Sequence, residues 1–225
     1  NISVKNHMHG FENEHAHIRK QISFEKAESG FMVADPLTLY DCCPTSDGAS
    51  CVILAADHVV RQFTDDPVWI RSSGAASDRL ALHDRPSVTQ LLATQKASKS
   101  AYSAAGITSN DIDLAEVHDC FTIAELMATE DLGFSEQGQG GVFAREGQGV
   151  RNEGSVCINP SGGLKSKGHP LGATGTGQAV EVFKQLRGTV EDSRQVRDAE
   201  IGLTHNVGGS GATCAVHIFG RERNG

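Results

Sequence analysis

Apolar positions along the chain follow two periods. In residues 87–105, Val88, Leu91, Leu92, Ala101, Tyr102 and Ala105 fall on one side of a 3.6-residue repeat. Gly106 then supplies a stop, so a helix is predicted there. The same period predicts a helix over 122–131, ended by Gly133, and another over 174–186 with Val180, Val182 and Phe183 on its buried side. Residues 56–63 predict a short helix. Short β-rich apolar runs predict strands at 50–55, 68–71, 112–117, 156–159, 201–204 and 213–219. Residues 135–154 are Gly-rich and polar and predict an excursion loop, and residues 1–40 are polar throughout. Strands and helices alternate through most of the chain, which argues an α/β layered fold. The linker HNVGGSG is too tight for a helical crossover, so the last two strands should be antiparallel.

Composition narrows this picture. The 225 residues are 38% apolar and 21% charged, enough for a packed core. A net charge of −8 argues against a nucleic-acid or anionic-membrane surface. No window approaches the apolar length of a membrane-spanning helix. The amino end shows no secretory pattern, and RERNG at the other end carries no peroxisomal tripeptide, so a cytoplasmic location is expected. The first residue is Asn rather than Met, so a fragment or a processed product is expected. Six cysteines, at 42, 43, 51, 120, 157 and 214, form no CxxC pair and are expected as free thiols. His7, His9, His15 and His17 form two HxH pairs. In a strand each pair would put both rings on one face, but no carboxylate or thiol lies at usable spacing, so no metal site is expected.

Three loops border apolar strands and each carries a histidine: His118-Asp119-Cys120, Gly168-His169-Pro170 and His205-Asn206-Val207-Gly208. In layered α/β folds such loops converge at the carboxyl ends of strands. Cys120 lies beside a predicted helix start, whose dipole favours a thiolate; a buried packing role is the plain alternative. His169 sits between a flexible Gly168 and a stiff Pro170, which suits a ring held for chemistry or one that caps the next helix. GATGTG lacks the Lys-Ser/Thr of a phosphate loop and is expected to serve close packing at a helix start. Gly208 and Gly209 can offer backbone N–H groups to an oxyanion, or simply make a tight turn.

Long motifs carry a resemblance. HDCF at 118–121, NPSGGLKSKGHPLGATG at 159–175 and THNVGGSG at 204–211 resemble the carboxyl-terminal part of HDCF-class thiolases, the archaeal acetoacetyl-CoA and sterol-carrier-protein types. VKNHMHG at 4–10, MVADPLTLYDCCPTSDGAS at 32–50 and VWIRSSGAASDRLALHDRP at 68–86 fit as well, so the whole chain is covered. The resemblance implies a thiolase fold, layered α-β-α-β-α, built from two βαβαβαββ halves. Residues 1–40 would then be the end of a loop domain, 41–66 the last strand and helix of the first half, and 67–225 the complete second half.

The resemblance also implies roles. His169 would activate a nucleophilic cysteine, Cys120 would move the substrate α-proton, and His118 would complete an oxyanion hole. Asn206 stands where other thiolases carry a cysteine, and the Gly208 amide would serve a second oxyanion hole. Cys43 and Ser46 are expected to contact the coenzyme A thioester, with no tightly bound cofactor. The family's nucleophilic cysteine lies upstream of these motifs, and none of the six cysteines here matches it. The implied reaction is reversible condensation of acetyl-CoA to acetoacetyl-CoA, or thiolysis of a 3-oxoacyl-CoA. A lyase, a scaffold or a CoA-thioester binding module is the alternative. Implied partners are a second copy of the chain, hydroxymethylglutaryl-CoA synthase and an OB-fold zinc-ribbon protein of the mevalonate route.

Overall fold

The computed structural model describes residues 1–223. The chain opens with helices α1 (Ile2–Phe11) and α2 (Phe24–Glu28) and a small hairpin of β1 (Met32–Ala34) and β2 (Leu37–Thr38). After α3 (Asp57–Val60) come β3 (Trp69–Ser77), α4 (Leu92–Ala105), β4 (Leu114–Glu116), α5 (Thr122–Asp131) and α6 (Gly140–Arg145). The remainder is β5 (Cys157–Ile158), α7 (Gly163–Ser166), α8 (Thr174–Arg187), β6 (Ile201–Gly208) and β7 (Thr213–Gly220). Five strands form one mixed sheet in the order β3-β7-β6-β4-β5. β4 runs parallel to β5 and β6, and β7 runs antiparallel to β6 and β3. The expected antiparallel last pair is present, with His205 opposite Val216. The sheet separates two apolar layers. One packs α4 and α5 over Val117, Leu203, Val216 and Ile218; the other packs α8 over Leu114, Cys157 and Phe219.

Several boundaries differ from the sequence pattern, each for a physical reason. β3 runs on through Ser-Ser-Gly-Ala-Ala-Ser, which has little β propensity. Tertiary packing selects those small residues: the alanine row Ala93, Ala97 and Ala101 of α4 lies almost on the strand, and a Cβ on Gly74 would sit 2.0 Å from the Ala97 carbonyl oxygen. α4 starts at Leu92 rather than near residue 87, because the Asp131 carboxylate accepts the Leu91 N–H at 2.7 Å and the Gln95 amide at 2.7 Å. Val88 is exposed. On α8 the buried face is Gln178, Glu181, Val182, Gln185 and Leu186, while Phe183 is exposed. Gln185, Glu181 and buried Arg194 satisfy one another there, with Arg194 Nη2 to Glu181 Oε1 at 2.7 Å, so polar residues hold a face that the apolar pattern misassigned.

Two further expectations fail. Residues 50–55 are not a strand: among the described residues none pairs with them, and Ile53 is 93% exposed. An apolar run becomes a strand only where a neighbour takes its backbone groups. The 135–154 loop contains α6, whose first N–H groups are met by Glu130 Oε1 at Gly140 N, 2.7 Å. The polar amino end opens with a helix, because α1 docks on α7 through Gly10 against Gly162. A Cβ on Gly162 would lie 2.5 Å from the Gly10 Cα. His7 and His9 are therefore helical and buried rather than in a strand or loop.

The β3–α4 contact yields a test. Gly74→Ala should destabilise the chain by about 1–3 kcal/mol through overpacking. Gly172→Ala, where nothing lies within 4 Å, should change stability by less than about 0.5 kcal/mol. Urea unfolding of the two variants measures the difference.

Candidate active site

The turn after β4 is held from three sides. Asn159 Oδ1 accepts the Val117 N–H at 2.8 Å as the strand ends. Asp119, wholly buried, then accepts Leu164 N at 2.7 Å, Lys165 N at 3.3 Å and Asn6 Nδ2 at 2.8 Å. Asn6 also donates to Glu125 at 2.7 Å, and Glu125 pairs with Lys5 Nζ at 2.9 Å. Position 163 must be glycine here, since its φ is +62° and a Cβ would stand 2.4 Å from an Asp119 oxygen. Burial and the neighbouring Glu125 push the Asp119 carboxyl up to about 7, against donors that favour its ionised form. With its middle residue pinned inward, the turn puts His118 and Cys120 on either side of Asp119.

A second strand of chain closes on this turn. Cys43 N–H donates to the Cys120 carbonyl at 3.0 Å, and Cys42 bridges Phe121 in an antiparallel pair. Lys165 Nζ donates to the Cys42 carbonyl. Thr45 bridges His169, and Ser46 Oγ accepts the His169 N–H at 3.3 Å. Cys43 and Ser46, expected to meet the coenzyme A thioester, thus lie against the two loops and hold their backbones. Ser46 also lines a cavity of about 490 Å³ with Lys167, Gly168 and Thr174. Gly168 has φ +112°, and a Cβ there would meet Ser46 Oγ at 2.6 Å.

The His118 and His169 rings meet edge to face, with centroids 4.9 Å apart at 87°. Thr174, at the start of α8, fixes the His169 tautomer. Its hydroxyl donates to the Pro170 carbonyl at 3.0 Å, so it must accept from His169 Nδ1 at 2.7 Å. Nε2 of His169 is left with its lone pair, as a base requires. Burial and the His169 ring push His118 down to about 4, and burial with the Lys167 cation lowers His169, so both rings are neutral at pH 7. His118 Nδ1 is buried and makes no hydrogen bond. For Cys120 the sequence expectation of a dipole-favoured thiolate is corrected: burial, Cys43 and Asp119 push the thiol up to about 11. Cys120 is a protonated acid at neutral pH.

Asn206 and Gly208 lie not in a loop, as the sequence suggested, but at the end of β6, where they line a shallow depression with Ala75 and Thr213 on the sheet face. Asn206 is linked to the histidine pair indirectly: its Nδ2 donates to Gln178, whose own amide donates to the His205 carbonyl. The hairpin turn after Gly208 carries φ +55° at both Gly209 and Ser210. Four positioning groups received no role from the sequence: Asn159 and Thr174, and, within the histidine segments themselves, Asp119 and His205. Thr174 is legible only as a hydroxyl five residues after His169 in GHPLGAT, and Asp119 only as the inward residue between two suspects. Of the HxH histidines, His15 and His17 line the cavity beside Ser46, and His7 and His9 are engaged elsewhere. His9 Nδ1 meets the Asn159 carbonyl at 3.0 Å and its Nε2 accepts Arg151 N–H at 3.1 Å, while His7 meets the Lys20 carbonyl.

Fold and site together define an α/β domain in which a neutral histidine pair and a protonated thiol follow the carboxyl end of β4. The thiolase C-terminal domain-like family model matches residues 74–221. The acetyl-CoA acetyltransferase of Methanothermobacter thermautotrophicus is 50% identical over 220 residues, 98% of this chain and 57% of that protein. Human sterol carrier protein 2 is 38% identical over 216 residues, 94% of this chain and 39% of that protein. Among solved structures, an Ltp2-ChsH2(DUF35) aldolase superposes with TM-score 0.85 at 22% identity, over 97% of this chain and 56% of that one. This chain belongs to the thiolase family, and it spans about half the length of the curated relatives it matches. No helix among the described residues is long and apolar enough to cross a membrane.

The buried histidines make stability depend on pH. His118 at about 4 and His205, pushed to about 3 by burial and His118, take up protons in the unfolded chain before the folded one. Their stabilising contribution is full above pH ~6.5 and is lost as pH falls toward the folded values. The expected slope is up to ~1.4 kcal/mol per pH unit for each group. His205→Asn should remove one share of that slope between pH ~4 and ~6.5, read by urea unfolding across that range.

Proposed function

We propose that this chain supplies the acid/base and oxyanion-binding part of an acetyl-CoA C-acetyltransferase. The carrying observation is the neutral His118–His169 pair beside a protonated Cys120, with Thr174 leaving His169 Nε2 as the free base. In thiolysis, His169 takes the proton of a cysteine thiol. That cysteine, by the family resemblance, belongs to a first half outside the stretch covered here. The thiolate attacks the 3-oxo carbonyl, the C2–C3 bond breaks, and the Cys120 thiol protonates the acetyl-CoA enolate. The acyl group then passes to coenzyme A. Condensation reverses these steps. His118, and the Gly208 amide with Asn206, are the proposed oxyanion donors.

The remaining assignments belong to this reading. Residues 1–40 are taken as the end of a loop domain, 41–66 as the close of a first half and 67–225 as the second half. Coenzyme A thioesters come and go as substrates, with Cys43 and Ser46 near them. A cytoplasmic homo-oligomer is proposed, feeding acetoacetyl-CoA to hydroxymethylglutaryl-CoA synthase with an OB-fold zinc-ribbon partner. A second reading, carbon–carbon cleavage without an acyl-enzyme, uses the same acid and base. It draws on the aldolase that shares this fold.

Loss of acetoacetyl-CoA absorbance on addition of coenzyme A is the test. Activity is expected when the chain is combined with a cysteine-bearing first half of such a thiolase. Cys120→Ala should then lower kcat by about 10²–10⁴, the usual share of a general acid. Full activity in Cys120→Ala would sink the assignment. Cleavage that proceeds without coenzyme A would select the aldolase-like reading.

A further inference from the structure

His205 is fully buried on β6, and each of its polar groups touches a different part of the site. Its Nδ1 faces the backbone N–H of His118 at 3.4 Å. Its Nε2 faces Thr94 Oγ1 of α4 at 3.0 Å. Its carbonyl accepts Gln178 Nε2 at 3.1 Å. These contacts allow one tautomer. A backbone N–H can only donate, so Nδ1 is the acceptor, and Nε2 carries the proton that Thr94 accepts. The Thr94 hydroxyl is then free to donate, and the Cys214 thiol of β7 lies within its reach. The Gln178 amide is oriented by the same logic. Its nitrogen must face the His205 carbonyl, so its oxygen faces Asn206 Nδ2 at 3.1 Å, and the Asn206 oxygen points away from Gln178.

We infer that His205 is a positioning residue: held as the Nε2–H tautomer by the His118 backbone N–H that its Nδ1 accepts, it fixes the His118 backbone with its ring, and its carbonyl sets the Asn206 amide through Gln178. The buried ring thereby keeps the β4 turn and the end of β6 in register. Its importance for catalysis rests on the role proposed for His118. The tautomer and the backbone contact do not, so the two ideas fail separately.

The test is nitrogen-15 NMR of the histidine-labelled chain at pH 7. His205 is expected with Nε2 protonated and Nδ1 bare; an Nδ1–H tautomer overturns the assignment without any variant. Thr94→Val leaves the His118 N–H in place and should keep the single Nε2–H form; appearance of the Nδ1–H tautomer in that variant would overturn the selection of the tautomer by the His118 amide. Hydrogen exchange at the His118 amide gives an independent readout. Asn at 205 keeps an acceptor at the Nδ1 position, whereas Gln carries its amide to the Nε2 position. Exchange relative to the Ala115 amide should stay near the wild-type rate in His205→Asn. It should be about tenfold faster in His205→Gln and His205→Leu, the loss of one net hydrogen bond. Equal exchange in all three variants would reduce His205 to packing.

Discussion

The buried Asp119 carboxylate joins parts of the chain 113 and 45 residues apart, Asn6 on α1 and Leu164 at the start of α7. A carboxylate in the interior is costly unless donors surround it, and three N–H groups do so here. The His118–Cys120 turn has its shape because Asp119 must face those donors. Gly163 is the complementary concession, since only a residue without Cβ leaves room for the carboxylate. The buried Asn6, Glu125, Lys5 and Asn159 extend the same anchoring to the amino-terminal helix and to the loop after β5.

From that anchor the site follows by tautomer and desolvation rather than by strong charges. Its histidines are depressed and its thiol is raised, all chiefly by burial. Such a site holds these groups in their neutral forms at pH 7. Direction comes from partners of fixed role: Thr174, whose proton goes to the Pro170 carbonyl, assigns the proton of His169, and the His118 backbone N–H assigns that of His205.

The outer faces show the opposite economy. Ile53, Leu54, Phe63 and Phe183 lie exposed around a groove of about 980 Å³ between α3 and α8. An apolar surface of that kind marks a face suited to another polypeptide. The sequence pattern assigned residues 50–55 to a buried strand from their composition alone, and among the described residues no strand pairs with them.

What the sequence determined by itself was local and repetitive: the α/β alternation, the helix from Thr122 to Asp131, the antiparallel last pair and the histidine loops at His118 and His169; the His205–Gly208 segment, expected as a loop, is the end of β6. Those depend on periodicity, glycine stops and long motifs, which neighbouring residues carry. The tertiary structure decided what depends on distant partners. Small residues became β3 because an alanine-faced helix needed a close seat, and polar residues became the buried face of α8 because Arg194 completed their bonds. Thr174 came to set the tautomer of His169 and the His118 amide that of His205, and Cys120 stays a thiol rather than a thiolate, because burial outweighs a helix dipole. Hydrogen-bond partners and desolvation belong to three-dimensional neighbours, and no local pattern encodes which neighbours those will be.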